Sequence, residues 1–377
     1  MAIAIIGAAG EIGARVAQYC LTNNIEVRLL VRTIDPRIAR WGNIDIRKVD
    51  VSNPVMLKEA LAGCKAIINC ALDKSDLDNE QQNIQRNITF FTNLVNFSLE
   101  LGIEKIVELS SIAVLQPKVT AEVLASDYNY SKETDWYTRV KIEVEKVALS
   151  FKDKISITIL RPGIVYGPYM HWSRFAFMRT QTKSWVLPAI DGVLCHAIHV
   201  DDLAALMLYC ADKKNNTPIM LYGINPERVS WKEFYDLHGY AVGHKRPTVV
   251  KPLSDFDYLY KVEGDELRKP GAKRNVIDIG RKVFSAIPHS VKEIKPIKGT
   301  IKTLKAMNYG IINYDSYINP PTVTPLPLLM PSKFELELCS TNATPSDEKN
   351  GVAHGFKYKV SLKSGAEQAA KWWKFRV

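Results

Sequence analysis

Apolar runs and helical patterns alternate through the first half of the chain. Residues 3–6 form an isoleucine-rich run that breaks at Gly7-Ala8-Ala9-Gly10. The stretch after it, with Ala14, Val16, Ala17 and Leu21, has the spacing of a helix. Further strand-like runs fall at 26–32, 45–51, 66–71, 105–109 and 155–160. Helical stretches at 56–61 and 79–101 lie between them, the second stopping at Gly102. Continuous apolar strands joined through helices predict an α/β fold whose parallel sheet is covered on both faces.

After Pro168 the texture changes. Aromatic, proline and basic residues become denser and the alternation weakens. Ser230-Trp231-Lys232-Glu233 has the form of a capping box opening a helix. Prolines at 320–321 and between 325 and 331 suggest an extended crossing. A chain of 377 residues suits a nucleotide-binding domain with a second, smaller lobe.

The glycine turn gives this frame a chemical use. Strand, glycine turn and helix together present backbone N–H groups and a helix N-terminus to a pyrophosphate. The spacing is GxxGxxG, through Gly7, Gly10 and Gly13. Leu109-Ser110-Ser111 closes a later strand, where side chains reach the ligand-binding edge of a parallel sheet. Tyr137 and Lys141 follow, four positions apart in a helical stretch, so both can point at one site. A free tyrosine, with a pKa of about 10, is a weak acid–base group near neutrality. A neighbouring ammonium favours its phenolate form.

Composition narrows the setting. The six cysteines (Cys20, Cys64, Cys70, Cys195, Cys210, Cys339) form no CxxC pair. That is a reduced, cytoplasmic pattern with no metal site expected. No apolar stretch reaches the roughly 20 residues of a membrane-spanning helix, so no membrane partner is expected. The apolar N-terminus runs straight into the glycine turn and reads as structure rather than as a signal peptide. The net charge of +10 is concentrated between Lys261 and Lys305, with 12 Lys/Arg against 5 Asp/Glu. Such a stretch is either a solvated face or a site for an anionic partner. No aromatic-interleaved basic motif accompanies it, so nucleic acid is not expected.

Two further segments complete a pattern: Leu160-Arg161-Pro162-Gly163-Ile164-Val165-Tyr166-Gly167-Pro168 and His199-Val200-Asp201-Asp202-Leu203-Ala204. With the glycine turn, the serine pair and the Tyr137–Lys141 spacing, in this order, the chain resembles the extended short-chain dehydrogenase/reductase superfamily, in its NAD(P)-dependent epimerase/dehydratase group. The closing stretch from Gly355 through Gly365 to Trp372-Trp373 is similar to that group's final segment.

The resemblance implies a Rossmann-type, doubly wound domain over 1–165, completed by about 196–224, and a mixed C-terminal lobe over 166–195 and 225–377 that binds substrate. It also implies roles for particular residues. Tyr137 would exchange a proton with the alcohol or ketone oxygen. Lys141 would hold the nicotinamide ribose and support Tyr137. Ser111 would hydrogen-bond the same oxygen. Gly7, Ala9, Gly10, Glu11 and Ile12 would line the pyrophosphate. Asp50 and Val51 would sit at the adenine, and Cys70 and Ala71 beneath the ribose. Asn87 would support the site from its helix. Pro162, Gly163 and Ile164 would lie beside the nicotinamide. Ile112, Tyr166, His171 and Trp172 would line the substrate cleft, with His171 a candidate second acid–base group. Arg32 follows the second strand, where an acidic residue would grip a ribose 2′-OH. It can pair with a 2′-phosphate, so NADP(H) is favoured and NAD(H) stays open.

Departures from the group's pattern limit the chemistry. Ile112-Ala113 stand where the 4,6-dehydratases carry Asp-Glu, which argues against that elimination. Ile164 and Cys195-His196 replace polar residues that many nucleotide-sugar enzymes carry. The expected activity is NAD(P)-dependent interconversion of a secondary alcohol and a ketone on a small molecule. The alternatives are a nucleotide-sugar epimerase with tightly held cofactor and a non-catalytic cofactor sensor. A homodimer is left open.

Overall fold

The computed structural model describes residues 2–34, 44–74, 79–115, 130, 135–181, 186–189, 193–212, 214–215, 217–244, 247–252, 339 and 350–374. The basic stretch 261–305, the prolines between 320 and 331, and Asp35 lie outside them.

Seven parallel strands form the central sheet. They are β1 (Ile3–Ile6), β2 (Val27–Val31), β3 (Asp45–Lys48), β4 (Ala66–Asn69), β5 (Lys105–Leu109), β6 (Ser156–Pro162) and β10 (Met220–Gly223). Their order is β10-β6-β5-β4-β1-β2-β3. The direction of winding reverses between β1 and β4, which pair in register from Ile3 with Ala66 to Ile6 with Asn69. A reversal of this kind leaves a crevice at the carboxyl ends of the two strands.

Both faces of the sheet are covered, as continuous apolar strands require. One face packs on α1 (Glu11–Thr22) and α6 (Val200–Ala211), around Ile5, Leu29, Val107 and Leu203. The other packs on α2 (Pro54–Leu61), α3 (Glu80–Glu100) and α4 (Trp136–Ser150), around Ile6, Phe91, Ile106 and Val140. Caps fix where these helices start. Asn53, Asn79 and Asp135 accept backbone N–H bonds at the heads of α2, α3 and α4.

The rest of the described chain gathers around a second apolar cluster with Tyr166, Leu187, Trp231, Phe234 and Leu362 at its centre. Its elements are β7 (Ile164–Tyr166), α5 (His171–Thr180), β8 (Val186–Ala189), β9 (Ala197–His199), α7 (Trp231–Ala241), β11 (Val249–Pro252) and α8 (Leu362–Lys374). The Ser230 capping box opens α7 as its spacing predicts.

The His199–Asp202 segment ties the two parts together. His199 caps α6 by accepting the Asp201 N–H at 3.2 Å. Asp201 receives two guanidinium bonds from Arg15 on α1. The Asp202 carboxylate accepts the N–H groups of Lys359 and Val360, each at 3.0 Å. This motif is therefore occupied with joining the last segment to the sheet. Among the described residues, no helix is long and apolar enough to cross a membrane.

Candidate active site

The glycine turn sits at the strand-order reversal. Gly7 has φ +76°, a left-handed conformation that favours glycine. A Cβ there would come within 2.8 Å of the Ala71 nitrogen at the end of β4. A Cβ on Gly13 would come within 2.3 Å of the Gly7 carbonyl oxygen, so α1 can press on the turn only through a glycine. Gly10 differs. A Cβ there meets only the Gly7 oxygen, at 3.2 Å. Gly10 also caps α1 without any side-chain hydrogen bond. Among the described residues, the turn thus leaves an uncovered helix N-terminus, with its orphan N–H groups, beside an open backbone face. A dinucleotide pyrophosphate fits that cradle. Ala9, Glu11 and Ile12 flank it, and Glu11 lies within electrostatic reach of Lys74.

Arg32 is exposed just beyond β2, and Asp50 is exposed beyond β3. The two are close enough to interact electrostatically. Hydrogen bonds from Ser52, with a smaller contribution from Arg32, hold the Asp50 carboxyl below its ordinary range. Val51 is half-buried beside it.

Three elements converge from the other side of the crevice. After β5 the chain enters one tight helical turn, Ile112–Leu115. Ser111 opens that turn, and its Oγ accepts the Ala113 N–H at 3.1 Å. Among the described residues no acceptor takes the serine proton. Helix α4 packs on this turn. It carries Tyr137, half-buried, and Lys141, buried. The Lys141 Nζ donates to the Leu109 carbonyl and lies 3.7 Å from the Glu108 carboxylate.

Asn87 supports the same edge. Its Oδ1 accepts the Asp73 N–H at 2.9 Å, and its Nδ2 donates to the Asp73 and Asn83 carbonyls. This clamps the chain just before Lys74. Cys70 is half-buried at the head of the same segment, and burial of its thiol pushes it up to about 12. Ala71 is anchored by its N–H to the Asn69 Oδ1 at 3.1 Å. Gly163 is dictated by chain crossing, since a Cβ would lie 1.9 Å from the His196 carbonyl oxygen. Its own N–H donates to the Gly223 carbonyl, and Pro162 ends β6 beside it.

The residues expected to line the substrate cleft separate into two groups. Ile112, His171 and Trp172 are half-buried. His171 stacks on Phe175 and meets Trp172 edge-on. Burial, helped by the nearby charges of Arg174 and Lys74, lowers its pKa to about 4. It is therefore neutral at physiological pH. Tyr166 is 1% exposed and belongs to the second core. Its hydroxyl donates to the Ser361 carbonyl, and a Cβ on Gly365 would come within 2.6 Å of its ring. Ile164 and Cys195 lie in that same core.

The residue patterns miss Glu108 and Asn69; the signal that could find Glu108 is a carboxylate inside the apolar run 105–109. Lys74 carried no such signal. Its electrostatic coupling to Glu11, Lys141 and His171 places it at the crevice.

The profile of the NAD-dependent epimerase/dehydratase family matches residues 3–221. The chain belongs to that family. Among curated members, a UDP-glucose 4-epimerase from Vibrio cholerae is 24% identical over 173 residues, 43% of this chain and 52% of that protein. A decarboxylating sterol-4-alpha-carboxylate 3-dehydrogenase from Homo sapiens is 28% identical over 116 residues, 30% of this chain and 31% of that protein. A 3beta-hydroxysteroid-dehydrogenase/decarboxylase isoform from Arabidopsis thaliana is 23% identical over 133 residues, 34% and 30% of the two chains. The matched regions span about a third to a half of these relatives. Among solved structures, a UDP-glucose 4-epimerase from Thermotoga maritima with UDP-glucose superposes with a TM-score of 0.62 at 15% identity, covering 100% of this chain and 99% of that one. MoeE5 in complex with UDP-glucose and NAD gives 0.53 at 19% identity, over 67% and 85%. These two likenesses establish the fold.

Proposed function

We propose that this family member is a nicotinamide-dependent oxidoreductase that interconverts a secondary alcohol and a ketone on a small molecule. The observation that carries this reading is the setting of Lys141. Its ammonium lies buried under the end of β5, one helical turn from Tyr137, on a helix packed against the turn that Ser111 opens. In this reading residues 1–165 and 196–224 hold the cofactor, and 166–195 with 225–377 form the substrate lobe. A dinucleotide held by its pyrophosphate in the glycine cradle would supply the hydride chemistry through its nicotinamide. Tyr137 moves the proton to or from the substrate oxygen. Ser111, whose Oγ already accepts the Ala113 N–H, donates its proton to that oxygen and polarises it. Lys141 holds the ribose with the donors that the Leu109 carbonyl leaves free.

The half-buried Ile112 and Trp172 and the neutral His171 favour a substrate with an apolar body and one reactive oxygen. Family relatives that act on sterols support this class. A UDP-glucose 4-epimerase relative supports a second reading, an epimerase that returns the hydride to its substrate. A panel of cyclic alcohols, simple ketones and UDP- or GDP-sugars decides between them. Net change in NAD(P)H absorbance with the ketones and alcohols is expected. Epimer formation from a nucleotide sugar without net cofactor change would establish the second reading instead.

Arg32 carries a separate expectation. A guanidinium beyond β2 pairs with a 2′-phosphate, so NADPH is expected to bind about ten-fold more tightly than NADH, or about 1.4 kcal/mol. Arg32→Asp is expected to flatten or reverse that preference. Fluorescence titration with both cofactors checks it, and tighter NADH binding by the unaltered protein would refute it.

A further inference from the structure

Glu108 is a carboxyl group in a place built for apolar side chains. It follows Val107 in β5, and Ile106 and Val140 pack on the same side of the sheet. It is 2% exposed. Burying a carboxylate there is costly unless it is paired and hydrogen-bonded. Two partners meet it. Asn69, at the end of β4, donates from Nδ2 to Oε2 at 2.6 Å. Lys141, on α4, lies 3.7 Å from Oε1. Asn69 also accepts the Ala71 N–H, so a continuous polar chain runs from the segment after β4 through Asn69 and Glu108 to Lys141.

We propose that Glu108 is a positioning residue for Lys141, and that its carboxyl group decides how the lysine ammonium is shared between the sheet and a bound dinucleotide. The inference rests on the reading that Lys141 holds the cofactor ribose. An ionised Glu108 draws the ammonium toward β5 and neutralises its charge. A protonated Glu108 leaves that charge to the crevice, where an anionic dinucleotide gains from it.

The surroundings make this coupling readable near neutral pH. Burial raises the Glu108 carboxyl to about 7, against the opposing pull of Lys141 and Asn69. The other groups facing it are Cys70 beside β4 and Glu145 on α4. Cys70 sits near 12, and Glu145 is paired with Arg161 of β6. His171, across the crevice, is held near 4. Lys74, which faces Lys141 across the crevice, has its ammonium disfavoured by burial, with Glu11 opposing. Glu108 is the carboxyl in contact with Lys141, and its charge changes between about pH 6 and about pH 8. Its ionisation on raising the pH removes positive charge from the site, so dinucleotide affinity is expected to fall as pH rises.

NADH is the probe, because its phosphodiester groups do not titrate in that range. For the unaltered protein the Kd for NADH, read by fluorescence, is expected to rise about three- to ten-fold from about pH 6 to about pH 8. Glu108→Gln is expected to hold the tighter value throughout and flatten the profile. Asn69→Ala removes a donor to the ionised carboxylate, so the midpoint is expected to move to higher pH. A purely structural role for Glu108 would alter melting temperature without changing the profile. An unchanged profile in Glu108→Gln, or an unmoved midpoint in Asn69→Ala, overturns the proposal. Lys141→Ala separates the two levels. If it binds NADH as the unaltered protein does, the role of Lys141 falls and the coupling falls with it. If it weakens binding while Glu108→Gln leaves the profile intact, the coupling alone falls.

Discussion

Tyr137→Phe is expected to lower turnover by roughly 10²–10⁴-fold while leaving NADH affinity close to that of the unaltered protein. The substitution removes one oxygen and keeps the ring. Its helix is held by the Asp135 cap, which accepts the Thr138 N–H at 2.8 Å, and by packing on α3 and on the turn after Ser111. The ring meets Trp136 edge-on, and that contact survives the change. The proton on the reacting oxygen then has no partner at the same position. Lys141→Ala should act differently and weaken both cofactor binding and turnover, because one ammonium serves both. The measurements are kcat on a substrate found in the panel and NADH titration of each variant. A Tyr137→Phe protein that keeps most of its turnover would move the chemistry to other residues.

Glu145→Ala is expected to destabilise the protein by about 3–5 kcal/mol. Glu145 and Arg161 are both 0% exposed and form a two-pronged pair, Nε to Oε1 at 2.9 Å and Nη2 to Oε2 at 2.5 Å. Ser110 Oγ donates to the same carboxylate. Arg161 Nη1 also donates to the Tyr222 hydroxyl at 3.1 Å, which links β6 to β10. Removing the carboxylate strands a guanidinium in the interior, and its desolvation is then uncompensated. The double variant Glu145→Leu with Arg161→Met is expected to recover much of the loss, since replacing both charges leaves neither unpaired. Urea denaturation of the two variants checks both statements. A loss below about 1 kcal/mol for Glu145→Ala would show that the interior rehydrates around Arg161.

The two charged networks differ in how visible they are along the chain. Arg161 lies in the Leu160–Pro168 motif, but its partner Glu145 sits on an ordinary-looking helical face. Only the packing of α4 over β5 and β6 brings them together. Glu108 was visible as a charge inside an apolar strand, yet its partners come from β4 and α4, far away in the sequence. Tyr166 shows the converse. Its neighbours along the chain suggested a place at the cleft. The approach of α8, through Gly365, encloses its ring against His199 and Phe234, and its hydroxyl donates to the Ser361 carbonyl.

What the sequence determined by itself was local and periodic. The isoleucine run, the glycines at 7, 10 and 13, the capping box at Ser230 and the four-residue step from Tyr137 to Lys141 each depend on backbone geometry within one or two turns. Such geometry is written in neighbouring residues. Tertiary structure decided which surfaces those elements share. It placed Gly7 against Ala71 at the point where the strand order reverses. It gave the His199–Asp202 motif the task of holding residues 359 and 360. It enclosed Glu108 between Asn69 and Lys141. These outcomes depend on side chains meeting across strands and helices that lie far apart in the chain, and burial then changes their charge and hydrogen bonding. No periodicity records that, because the low dielectric and the partners exist only after the sheet has closed.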